Sequence, residues 1–461
     1  MKRLAIVMLV IGCATDTLDE TRSAATTDDP FTLRVVTSGL SSPWEITLGP
    51  DGMLWVTERV GKRILRVDPA SGATATLVTI EEANPIGGQE GVLGMALATS
   101  GSRVEHVYVA FTYDADPSDG LLRRASIRRY TYDAAANALV DPMVVIDNVP
   151  AHNDHNGGRV KLGPDGRIYY TLGEGGANQF GNKCLPIRSQ ELPTADQIAR
   201  GDWSAYIGKT LRLERDGSIP ADNPVLAGVR SHVLTYGHRN PQGIAFSRDG
   251  TLYGSEHGPK TDDEVNVLRA GKNYGWPHIA GFRDDRAYVY GNWSAAPDCE
   301  ELEFSDYVIP PSVPTQTESS FRHPDLADPL ITLFTVASDH EFQDPACGGI
   351  DFICWPTVAA SSVEVYEPAT PPPGWRRSLL VTSLKRGAIY VANLKSATRV
   401  AGAPKPMFRT VNRYRDVTVS PDGRTFYVIT DSRGLTGTPD GGATSALEHP
   451  GAVLELRPVF D

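Results

Sequence analysis

A short phrase of apolar and polar residues recurs four times along the chain. Each copy has the apolar end of one strand, a turn of the Pro-Asp-Gly type, and a second strand that begins with aliphatic or aromatic residues. Asp-Gly suits a tight hairpin, because Gly accepts a positive φ and the Asp side chain bonds the local backbone. The four copies are residues 48–55, 162–169, 246–253 and 419–427.

Repetition of one strand–turn–strand unit predicts an all-β protein of the propeller type, in which such units form blades around a central channel. The copies are unevenly spaced, so we expect degenerate blades and long inserted loops, with 177–203 and 285–328 as the candidate insertions. The 44 Gly and 34 Pro residues agree with frequent chain reversals. Asp-Gly hairpins also occur in other β-proteins, but the shared flanks favour a propeller.

The N-terminus carries the pattern of an export signal. Lys2 and Arg3 precede a short apolar run that ends at Cys13, in a sequence resembling a bacterial lipobox with a lipid anchor on that cysteine. The chain then divides into a lipoprotein-type signal segment (1–13), a flexible tether (14–30) and a single propeller catalytic domain (31–461). An ordinary signal peptide is the alternative. Both interpretations predict an exported protein, periplasmic or membrane-anchored in a bacterial envelope.

The charge balance and the cysteines narrow the function classes. A formal net charge of −12 argues against a general nucleic-acid binder, which needs basic surface to displace counterions from phosphate. A small basic pocket for an anionic ligand remains compatible with this charge. Cys347 and Cys354 enclose a short loop and predict a disulfide, whereas the sequence leaves open whether Cys184 and Cys299 meet. Without a CxxC pair, a zinc site is disfavoured.

Two loops carry groups suited to catalysis. In the segment 153–159, Asp154 stands next to His155, and a neighbouring carboxylate can orient a histidine as a general base near neutral pH. A capped turn with a surface histidine is the alternative. In the segment 237–243, Arg239 could hold a carboxylate or a carbonyl oxygen in a planar geometry. A structural arginine that ties loops together would give the same pattern.

Three further segments suit charged ligands. Residues 255–264 form an acidic loop, and calcium prefers many oxygen ligands, although such a loop is often only solvated. Basic residues stand in 383–387 and 412–416. Arg413 and Arg415 share one face of a strand, where they repel unless an anion lies between them or carboxylates neutralise them. The two explanations are a polyanionic small molecule and ordinary pairing with Asp or Glu.

Together these segments resemble the soluble PQQ-dependent aldose dehydrogenases of the glucose/sorbosone dehydrogenase family. The similarity extends from about residue 31 to residue 460, and several independent motifs occur in the family's order. They are residues 88–94, 237–243, 271–277, 354–357, 383–387 and 412–416. The resemblance implies a six-bladed β-propeller with four-stranded antiparallel blades. It also implies oxidation of a glucose-like sugar at C1 to the lactone, with PQQ as the cofactor.

The resemblance further implies roles for individual residues. His155 would be the catalytic base that takes the proton of the anomeric hydroxyl, Asp154 would support it and contact the sugar, and Arg239 would stabilise the negative charge that develops on PQQ. Sugar contacts would come from Gln89, Asp154, His155, Gln179, Phe352 and Trp355. PQQ would be bound by Arg239, Asn240, Gln242, Trp355, Thr357, Lys385, Arg413 and Arg415. Electrons would pass to an external acceptor that the sequence does not identify.

Two calcium sites follow from the same resemblance. One ion would lie against PQQ, held partly by the backbone carbonyls of Gly258 and Pro259, and would act as a Lewis acid on the quinone. The second ion would be structural or would lie at a homodimer contact. Its ligands would be Glu264, Tyr274, Ala280, Phe282, Asp284 and Glu318.

The chain departs from the family at the sugar entrance. Phe352 stands where close relatives have a tyrosine, and Phe180 follows Gln179 where an aliphatic residue is usual. These changes concern the preferred sugar more than the reaction. Two other functions stay open: a calcium-dependent propeller lactonase, which would leave the basic residues of 383–387 and 412–416 without a role, and a non-catalytic sugar-binding propeller.

Overall fold

The computed structural model describes residues 31–343, 345–439 and 441–459. The predicted signal segment and tether, including Cys13, lie outside the described residues. In the described part, six antiparallel sheets follow one another along the chain, five with four strands and one with five. The prediction of a six-bladed β-propeller is therefore confirmed.

We number the blades in chain order and give the innermost strand of each blade first. Blades 1 to 3 consist of Pro43–Leu48, Leu54–Glu58, Arg63–Val67 and Thr74–Thr79; of Val92–Ser100, Arg103–Asp114, Arg123–Asp133 and Ala138–Pro150; and of Val160–Leu162, Ile168–Leu172, Lys209–Leu213 and Val233–Tyr236. Blades 4 to 6 consist of Pro241–Phe246, Leu252–Glu256, Asp263–Val267 and Ile331–Leu333; of Ala360–Tyr366, Ser378–Ser383, Ile389–Ser396, Arg399–Val400 and Lys405–Met407; and of Tyr414–Val419, Phe426–Thr430, Val453–Pro458 and Phe31–Thr37. Short strand pairs in loops are Val225–Leu226 with Val229–Arg230, Tyr290–Gly291 with Thr315–Gln316, and Thr436–Gly437 with Ala443–Thr444.

The innermost strands of consecutive blades contact one another around a closed ring, so the six sheets surround a channel. The ring closes through blade 6, whose outermost strand is the first strand of the domain. Phe31–Thr37 pairs antiparallel with Val453–Pro458, which joins the two ends of the domain by backbone hydrogen bonds. The apolar core lies between neighbouring sheets. Tyr253 of blade 4 and Val381 of blade 5, for example, belong to one buried cluster.

The repeated phrase forms the hairpin between the first and second strands of blades 1, 3, 4 and 6. Its glycines adopt a φ between 71° and 84°, as the tight turn requires; they are Gly52, Gly166, Gly250 and Gly423. In each copy the Asp side chain accepts a hydrogen bond of 3.1 Å from the amide two residues ahead. The prediction of one repeated hairpin is confirmed.

Two long insertions occur where the sequence predicts them. One joins the second and third strands of blade 3 and contains 177–203, and the other joins the third and fourth strands of blade 4 and contains 285–328. A disulfide between Cys184 and Cys299 links the two insertions. A second disulfide joins Cys347 and Cys354. The predicted pair is thus confirmed, and the pairing that the sequence leaves open is decided.

The described helices are short. The α-helices are Ala195–Arg200 and Asp351–Cys354, and the 3₁₀ turns are Phe180–Asn182, Ser204–Tyr206, Trp293–Ala295, Cys299–Glu301, Glu318–Ser320 and Pro345–Cys347. None of the described helices has the length and apolar character needed to cross a bilayer. The candidate site is therefore built mainly by loops that the strands position.

Candidate active site

Several of the predicted site residues occupy equivalent positions in different blades. Residues of this kind stand shortly before the innermost strands of blades 2 to 6; they are Gln89, His155, Asn240, Thr357 and Arg413. Because the innermost strands surround the channel, residues that are far apart in the chain meet at one place. Direct hydrogen bonds show which of them do so.

Glu174 holds His155 in a fixed orientation. His155 Nδ1 lies 2.7 Å from Glu174 Oε1, and both side chains are almost completely buried. When Nδ1 donates to this carboxylate, the lone pair of the neutral ring lies on Nε2, where it can accept a proton. Asp154 Oδ2 is 3.8 Å from Nε2, beyond hydrogen-bond distance. The carboxylate that supports the ring is thus Glu174 rather than Asp154, which corrects the interpretation of the sequence.

Gln89 connects the histidine loop to blade 4. Its amide nitrogen donates to Asp154 Oδ1. Its Oε1 accepts hydrogen bonds from Asn240 Nδ2 at 3.3 Å and from Gln242 Nε2 at 3.0 Å. The side chain of Asp154 is 40% exposed, whereas Asn240 and Gln242 are buried. Four predicted site residues therefore share one hydrogen-bond chain that leads from solvent into the interior.

Arg239 lies between Gln179 and the ring of Trp276. Its Nη2 donates to Gln179 Oε1 at 3.2 Å, and its guanidinium carbon lies 5.4 Å from the centre of the Trp276 ring. Arg239 Nε and His257 Nε2 are buried and have no hydrogen-bond partner. Burial, and then the charges of His155 and Arg239, lower the pKa of His257 well below its ordinary value. A ligand with polar atoms at this point would satisfy the two buried nitrogens.

Arg413 and Arg415 both bind Asp431. Arg415 makes two hydrogen bonds of 2.9 Å to this carboxylate, and Arg413 Nε makes one of 3.1 Å. Ordinary pairing, one of the two explanations that the sequence leaves open, therefore neutralises part of the basic cluster. Two guanidinium groups thus share one carboxylate, and burial and the nearby Arg415 also lower the pKa of Arg59 to about 10. The cluster still suits an anionic ligand.

Lys385, Thr357 and Trp355 form a second group. Lys385 Nζ donates to Thr357 Oγ1 at 2.7 Å and to the carbonyl oxygen of Trp355 at 3.0 Å. Burial lowers the pKa of Lys385 to about 7. Arg413 Nη1 donates to the carbonyl oxygen of Leu384 at 3.0 Å, so this group adjoins the arginine pair.

Two aromatic side chains predicted at the sugar entrance are exposed. Phe180 is 61% exposed, and its ring centre lies 5.0 Å from that of Phe304. Phe352 is 48% exposed and belongs to the short helix Asp351–Cys354. The structure therefore does not join Phe180 or Phe352 to the hydrogen-bonded groups around His155, Arg239 and Lys385.

Five of the eight residues predicted for calcium line one small cavity. The cavity lining includes Gly258, Pro259, Glu264, Tyr274 and Ala280, so the two predicted sites adjoin each other. No group of three or more His, Cys, Asp and Glu residues in the described part of the chain is arranged to hold a metal. Carbonyl oxygens would therefore have to supply many of the ligands, as the prediction for Gly258 and Pro259 requires.

Glu318 extends the second predicted calcium site. It accepts hydrogen bonds from the amides of Ala280 at 3.0 Å and Asp284 at 3.4 Å, and Phe282 stands between them in the chain with 38% exposure. Burial raises the pKa of Glu318 to about 7, and burial together with the neighbouring Glu256 raises that of Glu264 well above its ordinary value. Buried carboxylates of this kind are compatible with a bound cation.

Two carboxylates of the site, Glu174 and Asp431, were not found from the sequence. Both stand just beyond the second strand of a blade, and Glu58 and Glu256 end the second strands of two others. All four are buried, and each accepts a hydrogen bond from a neighbouring loop. These four blades are the ones that carry the repeated hairpin phrase. An acidic residue at the end of the second strand, or within two residues beyond it, therefore indicates a carboxylate of the site in the blades that carry the phrase.

Comparison with known proteins identifies the family of this chain. A family model described as Glucose / Sorbosone dehydrogenase matches residues 40–321 and 338–436. The chain is 40% identical over 460 residues to quinoprotein glucose dehydrogenase B of Acinetobacter calcoaceticus, with 98% of this chain and 96% of that protein covered. It is 30% identical over 253 residues to an aldose sugar dehydrogenase of Escherichia coli, with 53% of this chain and 61% of that protein covered.

Solved structures give the same result. The PQQ-bound form of aldose sugar dehydrogenase from Streptomyces coelicolor matches with a TM-score of 0.60 and 25% identity, over 94% of this chain and all of that one. An oxidoreductase of Thermus thermophilus described as a glucose dehydrogenase matches with a TM-score of 0.62 and 26% identity, over 92% of this chain and 99% of that one. The chain therefore belongs to the glucose/sorbosone dehydrogenase family.

Proposed function

We propose that the chain oxidises a glucose-like aldose at C1 to the lactone, with PQQ as its cofactor and His155 as the general base. One observation carries this proposal. The ring of His155 is fixed through Nδ1 by Glu174, while Nε2 makes no hydrogen bond to a described residue. Burial and the charges of His155, Arg239 and the two arginines Arg415 and Arg413 lower the pKa of His257, so His155 lies near these cationic side chains. Arg413 and Arg415 share the single carboxylate of Asp431.

The proton of the anomeric hydroxyl would pass to His155 Nε2. Glu174 stabilises the charged ring that results, because its carboxylate stays hydrogen-bonded to Nδ1. Asp154 and Gln89 are joined by a hydrogen bond, and the exposed part of Asp154 is available to a sugar hydroxyl. Gln179 accepts a hydrogen bond from Arg239 and would line the sugar site on the side opposite Asp154.

The residues present fit PQQ, a planar tricarboxylate. When bound, PQQ supplies the quinone that accepts the hydride leaving sugar C1. The side chains that would hold it are those of Arg239, Asn240, Gln242, Trp355, Thr357, Lys385, Arg413 and Arg415. Arg239 retains a buried nitrogen without a partner, and the arginine pair retains positive charge in excess of Asp431. Arg239 would stabilise negative charge on the oxygen of the cofactor.

Calcium fits the edge of the same site. The carbonyl oxygens of Gly258 and Pro259 would bind one ion, which would polarise the cofactor and hold it in place. Glu264 and Glu318 are buried, and the described ion pairs include neither of them. They would contribute, with Tyr274, Ala280, Phe282 and Asp284, to a second, structural site. A homodimer at that site remains a prediction.

The place of action would be outside the cytoplasm. Two disulfides are typical of proteins from oxidising compartments, and the N-terminal pattern suits export with lipidation of Cys13. Electrons would leave the reduced cofactor for an external acceptor in that compartment.

One assay tests the proposal. Purified apo-protein is mixed with PQQ, calcium, glucose and a dye acceptor, and we expect dye reduction that depends on PQQ. Absence of PQQ-dependent reduction with every common aldose contradicts the proposal. Lactone hydrolysis by the same apo-protein without PQQ would instead support the lactonase alternative.

Two histidine variants test whether His155 is the general base. His155→Ala should keep the dissociation constant for PQQ and lower kcat by about 10²- to 10⁴-fold, since general base catalysis contributes about this much. His106→Ala is the matched control, because His106 lies on the strand Arg103–Asp114 of blade 2, away from the described site contacts. Equal turnover of the two variants would remove His155 from the base role.

A further inference from the structure

A second buried charge cluster lies next to the candidate site. Arg159 is fully buried, and its guanidinium faces the buried carboxylates of Glu45 and Asp416. Lys161 pairs with Glu45 at 2.7 Å, and the charge of Glu364 also acts on Lys161. We call these five residues the Arg159 hub.

The guanidinium of Arg159 bonds the innermost strands of four other blades. Nη1 binds Glu45 of blade 1 and lies 2.9 Å from Asp416 of blade 6. Nε donates to the carbonyl oxygen of Gln242 in blade 4 at 2.9 Å, and Nη2 donates to that of Ser361 in blade 5 at 3.0 Å. Arg159 itself directly precedes the innermost strand of blade 3. One side chain therefore joins the innermost strands of five of the six blades.

Two of these bonds reach strands that carry predicted site residues. The side chain of Gln242, whose carbonyl binds Arg159, contacts Arg415 at 2.9 Å and Gln89 at 3.0 Å. Asp416 directly follows Arg415 in the chain. A shift of either strand relative to Arg159 would therefore move a residue predicted to bind the cofactor.

The histidine loop is tied to the same centre. His155 stands four residues before Arg159 in the chain. Between them, the amide of Gly157 donates to Asn240 Oδ1 at 3.2 Å, and the carbonyl oxygen of Gly158 accepts from the amide of Gly94 in blade 2 at 3.0 Å. The segment that carries His155 is thus anchored at Arg159 and crosses to blades 2 and 4.

Arginine has the geometry that this place needs. Its five N–H donors lie in one rigid plane and reach acceptors in several directions, whereas the ammonium of lysine is a single point. The ring of Trp44 lies 4.2 Å from the guanidinium carbon and restricts its movement. Burying such ions gains little net stability compared with apolar residues of equal volume. The specific consequence of the hub is one fixed arrangement of the strands.

We propose that Arg159 is a positioning residue, which sets the relative placement of the strands and loop that carry His155, Gln242 and Arg415. It preforms the cofactor and base sites by acting through these residues. The consequence for PQQ binding rests on the proposed function, but the placement itself can be measured on the apo-protein.

Three variants separate positioning from general stability. Arg159→Met removes the charge, and Arg159→Lys keeps the charge but loses the planar set of donors. Arg212→Met is the matched control, because Arg212 is a buried arginine of blade 3 that binds Asp165 and Asp222, away from the site. Hydrogen–deuterium exchange is measured on each apo-protein below its unfolding temperature. PQQ affinity is then titrated with calcium through tryptophan fluorescence.

We expect Arg159→Lys to exchange faster in 153–158, 240–243 and 412–416, and to bind PQQ about 10- to 100-fold more weakly, as when the support of a binding site is lost. Arg212→Met should exchange faster only around its own partners and bind PQQ like the wild type. Unchanged exchange of the three segments in Arg159→Lys overturns the proposal, even if Arg159→Met does not fold. Failure of the wild type to bind PQQ contradicts the proposed function, while the exchange data still decide the role of Arg159.

Discussion

Two neighbouring buried charge clusters of this protein differ in how completely they are paired. In the Arg159 hub, two cations face three carboxylates, and Arg159 donates to partners in four blades. In the candidate site, Arg413 and Arg415 share the single carboxylate of Asp431, and buried nitrogens of Arg239 and His257 have no partner. The cations of the hub are paired with carboxylates of the hub, whereas the candidate site contains buried polar groups without partners.

This difference indicates where a ligand belongs. An unpaired polar group that is buried costs free energy, about 1–3 kcal/mol for each, unless another molecule completes its hydrogen bonds. A closed cluster such as the hub needs no ligand and instead holds strands together. The same residue types therefore form a paired cluster at one place and leave buried polar groups without partners at the neighbouring place.

The largest effect should come from Glu174→Gln. The amide of glutamine can donate a hydrogen bond to His155 Nδ1, which favours the tautomer with the proton on Nε2 and removes the lone pair needed for the base. We expect kcat to fall by about 10²- to 10⁴-fold, because wrong tautomers have this cost in comparable sites. Steady-state dye reduction measures it. A wild-type kcat would show that Glu174 does not set the tautomer.

Asp431→Asn should destabilise the apo-protein by about 3–5 kcal/mol, because removal of one partner of a buried ion pair leaves uncompensated charge. Here the charge is that of Arg413 and Arg415. PQQ should restore part of this stability, since its carboxylates would supply negative charge near the same arginines. Thermal unfolding with and without PQQ should therefore show a larger ligand-induced shift than in the wild type. An equal shift in both proteins would argue against an anionic ligand at this cluster.

Glu364→Gln should have the smallest effect, and it tests the hub. Burial raises the pKa of Glu364 to about 7, so between pH 4.5 and 7 the folded protein holds a proton that the unfolded chain has lost. The stability of the wild type should thus decrease as the pH rises through this window, by about 1 kcal/mol for a side chain in partial contact with solvent. Glu364→Gln should lack this decrease. Parallel curves of unfolding free energy against pH would contradict this account.

Local patterns made much of the fold predictable. The repeated phrase identified the inner hairpins of blades 1, 3, 4 and 6, since Asp-Gly turns depend on contacts within a few residues. Blades 2 and 5 lack the phrase, and the sequence pattern alone did not place them. After each copy, an acidic residue also ends the second strand or stands within two residues beyond it, and this pattern could have revealed Glu174 and Asp431.

The sequence did not predict which side chains the site residues contact. Asp154 is adjacent to His155 in the chain, but adjacency does not decide which carboxylate the ring meets. His155 has a φ of 44°, and its ring bonds Glu174, which follows the second strand of the same blade. The shared partner of Arg413 and Arg415 likewise follows the second strand of blade 6. Such pairs depend on how the strands of a blade align.

The sequence by itself determined the repeated blade unit, the places of the two insertions, and the loops that carry the histidine and the arginines. Only the tertiary structure decided that Cys184 meets Cys299, that Glu174 orients His155, and that Arg159 joins five blades. The physical reason is the range of the interactions. Turns and strands follow from contacts between near neighbours, whereas these partners meet only when the first and last strands of the domain pair and the ring of blades closes.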